Sequence, residues 1–255
     1  MICKETLMED LSHMGIDPGG TLLCHLSMKA IGPVEGGADA VLDALSAYMK
    51  DGLLVIPGHT WDNINEEHPV FDSASTPVCV GMLPEIFRER PGVIRSNHPT
   101  HSLCALGTDA ENFCAGQERF DTPCAPESCY GELERRNAQV LMTGVDFSRN
   151  TSIHCIEEVA EVPNRIGKNR QMLYWTDITG TIHALPSYRH ENADSSLYVK
   201  IEPVMRARKQ LRTVPFGNAK SLLFCEKDLF CTVLELLHRN IDLFGDDHPV
   251  PREWY

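Results

Sequence analysis

Two apolar segments with a helical pattern between them constrain the fold of this chain most strongly. Thr21–Leu26 and Leu53–Pro57 have the length and the continuous hydrophobicity of buried strands. Residues 38–49 carry apolar side chains at helical spacing, and Asp51-Gly52 is a turn signal before the second segment. A strand, a helix and a strand in this order usually form a parallel pair with a right-handed crossover. The sequence therefore predicts an α/β domain built on a parallel sheet.

The rest of the chain continues this alternation of elements. Helices are predicted over residues 4–14, 81–90, 130–136 and around Leu229, and strands over residues 103–107 and 140–145. A turn at Gly180 between residues 172–175 and 182–185 predicts a hairpin. Residues 58–78 have no periodicity and contain several acids, which is typical of a functional loop. Because no repeat or linker divides the chain, residues 1–255 are predicted to form one domain.

The composition is that of an acidic globular protein. The formal charge of -13 argues against a nucleic-acid or anionic-membrane partner and would attract a cationic small molecule. The alternative, that the acidity only keeps the protein soluble, stays open. The 10 cysteines form no CxxC pair, and the first residues lack the apolar core of a signal peptide. We therefore expect free thiols, no membrane span and a cytoplasmic location.

A histidine and a carboxylate one helical turn apart form the strongest candidate for catalysis. After the apolar run 140–145, Asn150 or Thr151 can cap a helix. Thr151, His154 and Glu157 then recur every three residues and project from nearly one face, with Glu158 as a second partner for the histidine. A histidine beside a carboxylate is a candidate general base with its orienting group. The alternative is a helix start with one surface ion pair.

Three other groups of reactive residues are weaker candidates. His98, His101 and Cys104 have a spacing that hints at zinc, but a proline follows His98 and no fourth ligand is evident, so no metal is expected. Cys155 follows His154 directly, and helix neighbours point about 100° apart, so a buried structural cysteine is expected. His190-Glu191 forms either a second acid/base pair or a loop ion pair.

Several stretches, taken in order, are similar to the aminoglycoside 3-N-acetyltransferase family. They are residues 22–27 with 31–37, residues 52–57, residues 95–102, residues 140–145 with 150–157, and residues 214–219. Each stretch is weakly specific, whereas five in the right order are strongly so, and together they cover nearly the whole chain. The chain departs from the family pattern at Leu26-Ser27, where two serines are common, and at Cys129, where proline is common.

This resemblance implies a three-layer α/β/α fold with a central, mostly parallel sheet, distinct from the common acetyltransferase fold. It also implies acetyl-coenzyme A as donor and an aminoglycoside amine as acceptor. His154 resembles the catalytic histidine of the family, Glu157 the carboxylate one turn later, and Thr151 the hydroxyl one turn earlier. Ser27 and the loop through Gly37 resemble the segment that binds coenzyme A.

The chemistry of acetyl transfer suits these residues. An amine with a pKa near ~10.4 is mostly protonated at neutral pH, so a base is needed to free its lone pair. We expect His154, oriented by Glu157, to remove the proton as the amine attacks the thioester directly. Thr151 or backbone amides are candidates for stabilising the oxyanion, and a capping role for Thr151 stays open.

The binding residues are predicted from charge and position. Coenzyme A phosphates need cations or amides, and the candidates on this ground are Lys29, Arg95 and Ser96. The family resemblance adds Ser27 and Gly32 to the residues expected to bind coenzyme A. A polycationic acceptor needs carboxylates, and the candidates are Asp62, Glu66, Glu67, Asp72, Glu191 and Asp194. Two alternatives remain: an acyltransferase for another amine, and a non-catalytic protein that binds a cationic drug or a coenzyme A thioester. A monomer or a homodimer is expected.

Overall fold

The computed structural model describes residues 1–255 and contains two β-sheets. The strands are β1 (Thr21–Leu26), β2 (Leu53–Pro57), β3 (Val70–Asp72), β4 (Ile94–Arg95), β5 (Leu103–Gly107), β6 (Gln139–Thr143), β7 (Gln171–Thr176), β8 (Ile182–Ser187), β9 (Leu211–Phe216) and β10 (Ala219–Cys225). The helices are α1 (Lys4–His13), α2 (Met28–Ile31), α3 (Gly37–Tyr48), α4 (Met82–Arg88), α5 (Ala110–Cys114), α6 (Cys129–Arg135), α7 (Ser152–Val159), α8 (Ile201–Ala207) and α9 (Glu226–Arg239).

The larger sheet has seven strands in the order β4-β5-β2-β1-β6-β10-β9. Its three central strands, β2, β1 and β6, are parallel, as the strand–helix–strand pattern predicts. The four outer strands pair antiparallel, because β4–β5 and β9–β10 double back on the chain. The sheet is therefore mixed, with the parallel part at its centre.

Helices cover both faces of this sheet. In β1, Leu23 points into one hydrophobic core, whereas Leu22 and Cys24 point into the other. In β6, Val140 points into the same core as Leu23, and Leu141 points into the other core. Because successive side chains of a strand alternate in direction, a strand that is apolar throughout must be covered on both sides. The expected three-layer α/β/α fold is confirmed.

The smaller sheet, in the order β3-β7-β8, extends from the main body. Its hairpin, β7–β8, confirms the prediction around Gly180. The expectation that residues 58–78 contain no regular element is wrong, because β3 pairs parallel with β7 and buries Phe71 against Leu173.

Two further observations concern expectations made from composition. All ten cysteines are free in the structure. Every helix is too short or too polar to cross a bilayer.

Candidate active site

A cavity of about 500 Å³ lies at the carboxyl ends of the central parallel strands. His25 and Leu26 at the end of β1, and Pro57 at the end of β2, line one side of it. Residues 148–151, which precede α7, line another side. Ligands of open α/β sheets bind at this edge, because loops from neighbouring strands meet there. The remaining walls come from the loops that flank the smaller sheet and include Trp61, Cys79, Arg189, His190 and Tyr198.

His154 reaches this cavity from the first turn of α7. The helix begins where the Asn150 side-chain oxygen accepts a hydrogen bond from the Ser152 amide at 3.1 Å. Asn150 therefore caps the turn, whereas Thr151 makes no side-chain capping bond and lines the cavity instead. The His154 side chain is 15% exposed, which leaves one edge of the ring open to the cavity.

Two side chains, those of Glu157 and Tyr198, converge on Nδ1 of His154. Its Nδ1 lies 3.1 Å from Glu157 Oε2 and 2.8 Å from the Tyr198 hydroxyl oxygen. The Tyr198 hydroxyl has one proton, which it donates to Glu157 Oε2 at 2.6 Å. Nδ1 of His154 must then carry a proton and donate it to this pair. The lone pair of the neutral ring is therefore on Nε2, which has no hydrogen-bond partner in the protein.

Glu157 is buried and held in its ionised form. Arg165, also buried, donates from Nε to Glu157 Oε1 at 2.8 Å. Burial alone would raise the pKa of Glu157, but the hydrogen bonds from His154 and Tyr198 and the charge of Arg165 outweigh it and lower that pKa. The carboxylate therefore stays charged and can stabilise an imidazolium on His154.

The pKa of His154 is lowered from its ordinary value by burial and by the neighbouring His190, although the contacts with Glu157 oppose this shift. The rings of His154 and His190 are stacked with centroids 4.2 Å apart. The pKa shift keeps His154 neutral at pH 7, which is the form a general base needs.

His190 pairs with a different carboxylate from the one predicted. Its Nε2 lies 2.8 Å from Glu158 Oε1, whereas Glu191 is exposed and packs beside Gly167. The predicted His190–Glu191 pair is therefore wrong. Glu158 is also not the partner of His154, because that position belongs to Glu157.

Three more histidines, His25, His59 and His101, line the cavity and lie outside the predicted site. His59 is 3% exposed, and its Nε2 is hydrogen-bonded to the Tyr130 hydroxyl. Burial lowers the pKa of His59 to about 3 and the pKa of His25 to about 4, so both rings are neutral. The only sequence signal for His59 is its place just after a buried strand.

The residues predicted to bind coenzyme A divide into two groups. Ser27 and Gly32 flank the short helix α2 at the end of β1, and Lys29 on that helix is exposed. Arg95 and Ser96 are instead buried structural residues. Arg95 donates to the Gly58 and Thr76 carbonyls at 2.6 Å each and to the Ser102 hydroxyl at 3.0 Å.

The Ser96 hydroxyl accepts a hydrogen bond from the Leu103 amide at 2.9 Å. The prediction that Arg95 and Ser96 hold phosphates is wrong, because neither side chain has a free polar group facing the cavity.

The predicted acceptor-binding acids do not line the cavity. Asp72 accepts from the Ala74 amide and the Ser75 hydroxyl within its own turn. Glu66, Glu67 and Glu191 are exposed elsewhere, and that part of the prediction is wrong. Asp62 and Asp194 are exposed beside the lining residues Trp61 and Ser195, and are therefore near the rim of the cavity.

The charged side chains that do line the cavity are two arginines, Arg149 and Arg189. Arg189 is tied to the rim, with hydrogen bonds to the Trp61 carbonyl at 2.8 Å, to the Ile64 carbonyl and to Gln171. Arg149 is exposed, and its guanidinium has no hydrogen-bond partner, although its backbone amide donates to the Asp146 carbonyl at 3.0 Å. No sequence pattern separates Arg149 from other surface cations.

Fold and site together define an acetyltransferase of the α/β/α type. The crystal structure of a mutant of aminoglycoside acetyltransferase AAC(3)-IVa in complex with apramycin superposes with a TM-score of 0.81 at 26% identity, over 94% of this chain and 94% of that one. The chain belongs to the aminoglycoside 3-N-acetyltransferase family, whose model matches residues 23–238. This confirms the resemblance carried by the sequence motifs.

Two curated relatives extend this comparison. The aminoglycoside N(3')-acetyltransferase-like protein YokD of Bacillus subtilis is 34% identical over 242 residues, which cover 87% of each chain. Aminoglycoside N(3)-acetyltransferase IV of Salmonella sp is 28% identical over 244 residues, which cover 94% of this chain and 89% of that protein. The similarity therefore extends over most of both partners.

Proposed function

We propose that this protein transfers the acetyl group of acetyl-coenzyme A to the 3-amino group of an aminoglycoside, with His154 as general base. The observation that carries the proposal is the 3.1 Å contact between His154 Nδ1 and Glu157 Oε2 at the wall of the cavity. It leaves Nε2 as the only basic atom of that ring. Membership of the family supports the choice of donor and acceptor.

The reaction proceeds by direct attack of the amine on the thioester. The amine nitrogen forms a bond to the carbonyl carbon while His154 Nε2 accepts its proton. Collapse of the tetrahedral intermediate breaks the C–S bond, and the leaving thiolate takes the proton from His154. Glu157 stabilises the transient imidazolium, and general base assistance of this kind is worth about 10²–10⁴-fold in rate.

Thr151 is the best-placed side chain for the oxyanion of that intermediate. Its hydroxyl is free of the helix-capping bond and lines the same cavity as His154, one turn away. A fixed hydroxyl donor stabilises charge that develops in the transition state more than it stabilises the neutral thioester.

The donor phosphates have two unpaired cations available near the cavity. Arg149 lines it and is exposed, and Lys29 is exposed on α2 next to Ser27 and Gly32. Neither cation is engaged in an ion pair, so each can bind phosphate without losing an internal contact.

The test is thiol release from acetyl-coenzyme A on addition of single aminoglycosides, with mass spectrometry of the product. Turnover is expected to require His154, and His154→Ala is expected to lose it while donor affinity is kept. His183→Ala is the matched control, because His183 lies in the hairpin and pairs with Asp177. Normal turnover by His154→Ala would exclude His154 as the base.

A second candidate function is transfer to an amine that carries less positive charge. The specific observation is that no carboxylate lines the cavity, whereas two arginines do. A polycation would meet only the rim acids Asp62 and Asp194. Under this alternative, aminoglycosides give no thiol release while a panel of monoamines and amino sugars does, and the role of His154 is unchanged.

A further inference from the structure

A second cluster of reactive side chains lies against the wall of the cavity. His101, Cys124 and His190 each offer a ligand atom, and these atoms lie within 4.8 Å of one another. The three residues come from distant parts of the chain, so the sequence spacing concealed the cluster. It shares only His101 with the zinc pattern considered from the sequence, whose Cys104 is buried elsewhere beside Arg95 and Gly58.

The histidines of this cluster have nitrogens that no protein group satisfies. His190 Nε2 bonds to Glu158, whereas its Nδ1 is buried without any hydrogen-bond partner. The His190 side chain is only 8% exposed. His101 Nδ1 lies 2.9 Å from the Thr100 hydroxyl, which leaves its Nε2 free. A buried polar atom without a partner is costly and calls for a bound group that satisfies it.

The thiol of Cys124 also lacks a disulfide and a strong hydrogen-bond partner. It is buried, and its contact with the Thr151 carbonyl, at 4.0 Å from Sγ, is at the limit for a sulfur hydrogen bond. The backbone amide of Cys124 donates to the same oxygen of Glu158 that holds His190, at 2.9 Å. One carboxylate therefore positions both a histidine ring and the cysteine beside it.

We propose that His101, Cys124 and His190 form a site for a divalent transition metal ion, with Zn²⁺ as the preferred occupant. Imidazole and thiolate are both ligands that zinc binds, and three protein ligands leave one position for water or a ligand atom. Ligand atoms around a tetrahedral zinc lie about 3.3–3.8 Å apart, so the widest separation in the cluster must shrink by about 1–1.5 Å when the ion binds.

The chemistry of binding is a simple exchange. The Cys124 thiol releases its proton to solvent, and the thiolate and the two free nitrogens bind the ion. Glu158 accepts a hydrogen bond from the Nε2 proton of His190 and fixes the tautomer that presents Nδ1. This carboxylate–histidine arrangement behind the ligands is a common feature of zinc sites, and its loss typically costs about 10–100-fold in affinity.

The experiment uses metal-stripped full-length protein titrated with Co²⁺, which reports thiolate ligation by a charge-transfer band in the near ultraviolet. One equivalent is expected to bind with this band and with the visible bands of four-coordinate cobalt. Competition between Zn²⁺ and a chromogenic chelator then gives the zinc affinity. Neither readout depends on acetyl transfer.

Three variants test whether the ion binds at the proposed residues. Cys124→Ser is expected to abolish the charge-transfer band and weaken Zn²⁺ binding by at least about 100-fold, and Glu158→Gln by about 10–100-fold. Cys79→Ser, which changes a cysteine that lines the cavity outside the cluster, is expected to keep the band. Circular dichroism of the metal-free variants checks their folding, and His101→Gln replaces any variant that unfolds.

The absence of a thiolate band in the wild-type protein would overturn the proposal. Retention of the band in Cys124→Ser, or its loss in Cys79→Ser, would overturn it equally, since the ion would then lie elsewhere.

Discussion

The hydroxyl of Tyr198 lies 2.6 Å from Glu157 Oε2 and 2.8 Å from His154 Nδ1, although 41 residues separate Tyr198 from Glu157. This tyrosine is buried, and its burial together with the charge of Glu157 raises its pKa, so that its hydroxyl keeps its proton and is a hydrogen-bond donor at pH 7. Because Tyr198 donates its proton to Glu157, the proton of the neutral His154 ring must be on Nδ1. Tyr198 acts as a positioning residue for the proposed base.

Tyr198→Phe is expected to lower turnover and stability together. The change keeps the ring but removes one charge-assisted hydrogen bond to a buried carboxylate, which is worth about 1.5–3 kcal/mol. Urea unfolding measures the loss of stability, and thiol release measures the loss of turnover. Tyr174→Phe, in the smaller sheet, is the control. Unchanged stability in Tyr198→Phe would show that the 2.6 Å contact contributes nothing.

Glu157→Gln is expected to change the pH profile of turnover. His154 must be neutral to accept a proton, so turnover falls as pH drops through its pKa. The contacts with Glu157 raise that pKa, so their removal shifts the acid limb to lower pH. The plateau should also fall, by about tenfold or more, because an uncharged amide stabilises the imidazolium less. The control, Glu161→Gln, changes an exposed carboxylate near the same helix and should leave the acid limb in place. A limb that moves to higher pH in Glu157→Gln would contradict the assignment.

Arg95→Ala and Lys29→Ala are expected to have opposite effects. Arg95 ties Gly58, Thr76 and Ser102 together from a buried position, so its loss should cost roughly 3 kcal/mol of unfolding free energy. Coenzyme A affinity of the folded fraction should not change. Lys29 is exposed, so its loss should leave stability within about 0.5 kcal/mol and weaken coenzyme A binding. Denaturation measures the stability of each variant, and calorimetric titration measures its affinity for coenzyme A. If Arg95→Ala kept its stability and lost coenzyme A affinity, Arg95 would be a phosphate ligand after all.

Glu226→Gln is expected to stabilise the protein more at pH 8 than at pH 5. Burial raises the pKa of Glu226 from 4.5 to about 7, so the folded state keeps a proton that the unfolded chain loses. The free energy of unfolding therefore falls as pH rises from about 4.5 to about 7, by about 1.4 kcal/mol per pH unit and roughly 3 kcal/mol in all.

In Glu226→Gln this fall in the free energy of unfolding with rising pH should be absent. Unfolding curves at several pH values measure the free energy of unfolding of both proteins. Glu253→Gln, at an exposed position, is the control. Parallel pH dependence in wild type and Glu226→Gln would contradict the raised pKa.

The contacts of the site that can be predicted from the sequence are those between residues close together on one helix. His154 and Glu157 are three residues apart on one helix, so their contact follows from helix geometry alone. Tyr198 and Arg165 cannot be found this way, because tertiary packing brings them to Glu157 from outside that helix. Spacing alone also allows Glu158 to be a partner for His154. Only the three-dimensional structure shows that Glu158 is hydrogen-bonded to His190 instead.

The fold is predictable where hydrophobic runs are long and uninterrupted. Thr21–Leu26, Leu53–Pro57 and Leu103–Gly107 have the predicted bounds. The strand Leu211–Phe216 escapes prediction, because Pro215 and exposed residues break its pattern at the sheet edge. The structural role of Arg95 is hidden for a different reason, since a charged residue in a loop-like stretch gives no sign of being buried.

Arg189 lies two residues after the end of β8 and donates hydrogen bonds to the main-chain oxygens of Trp61 and Ile64, so it links two segments of the cavity rim. The helix that carries His154 makes neither of these Arg189 contacts and meets the rim at His190, which pairs with Glu158 and stacks on His154. Natural selection for a new acceptor can therefore act on the rim segments while the helix with the proposed base is inherited unaltered. Divergence in drug preference among members with this architecture would then accumulate around residues 61–64 and 191–195, whereas His190 would stay with the helix.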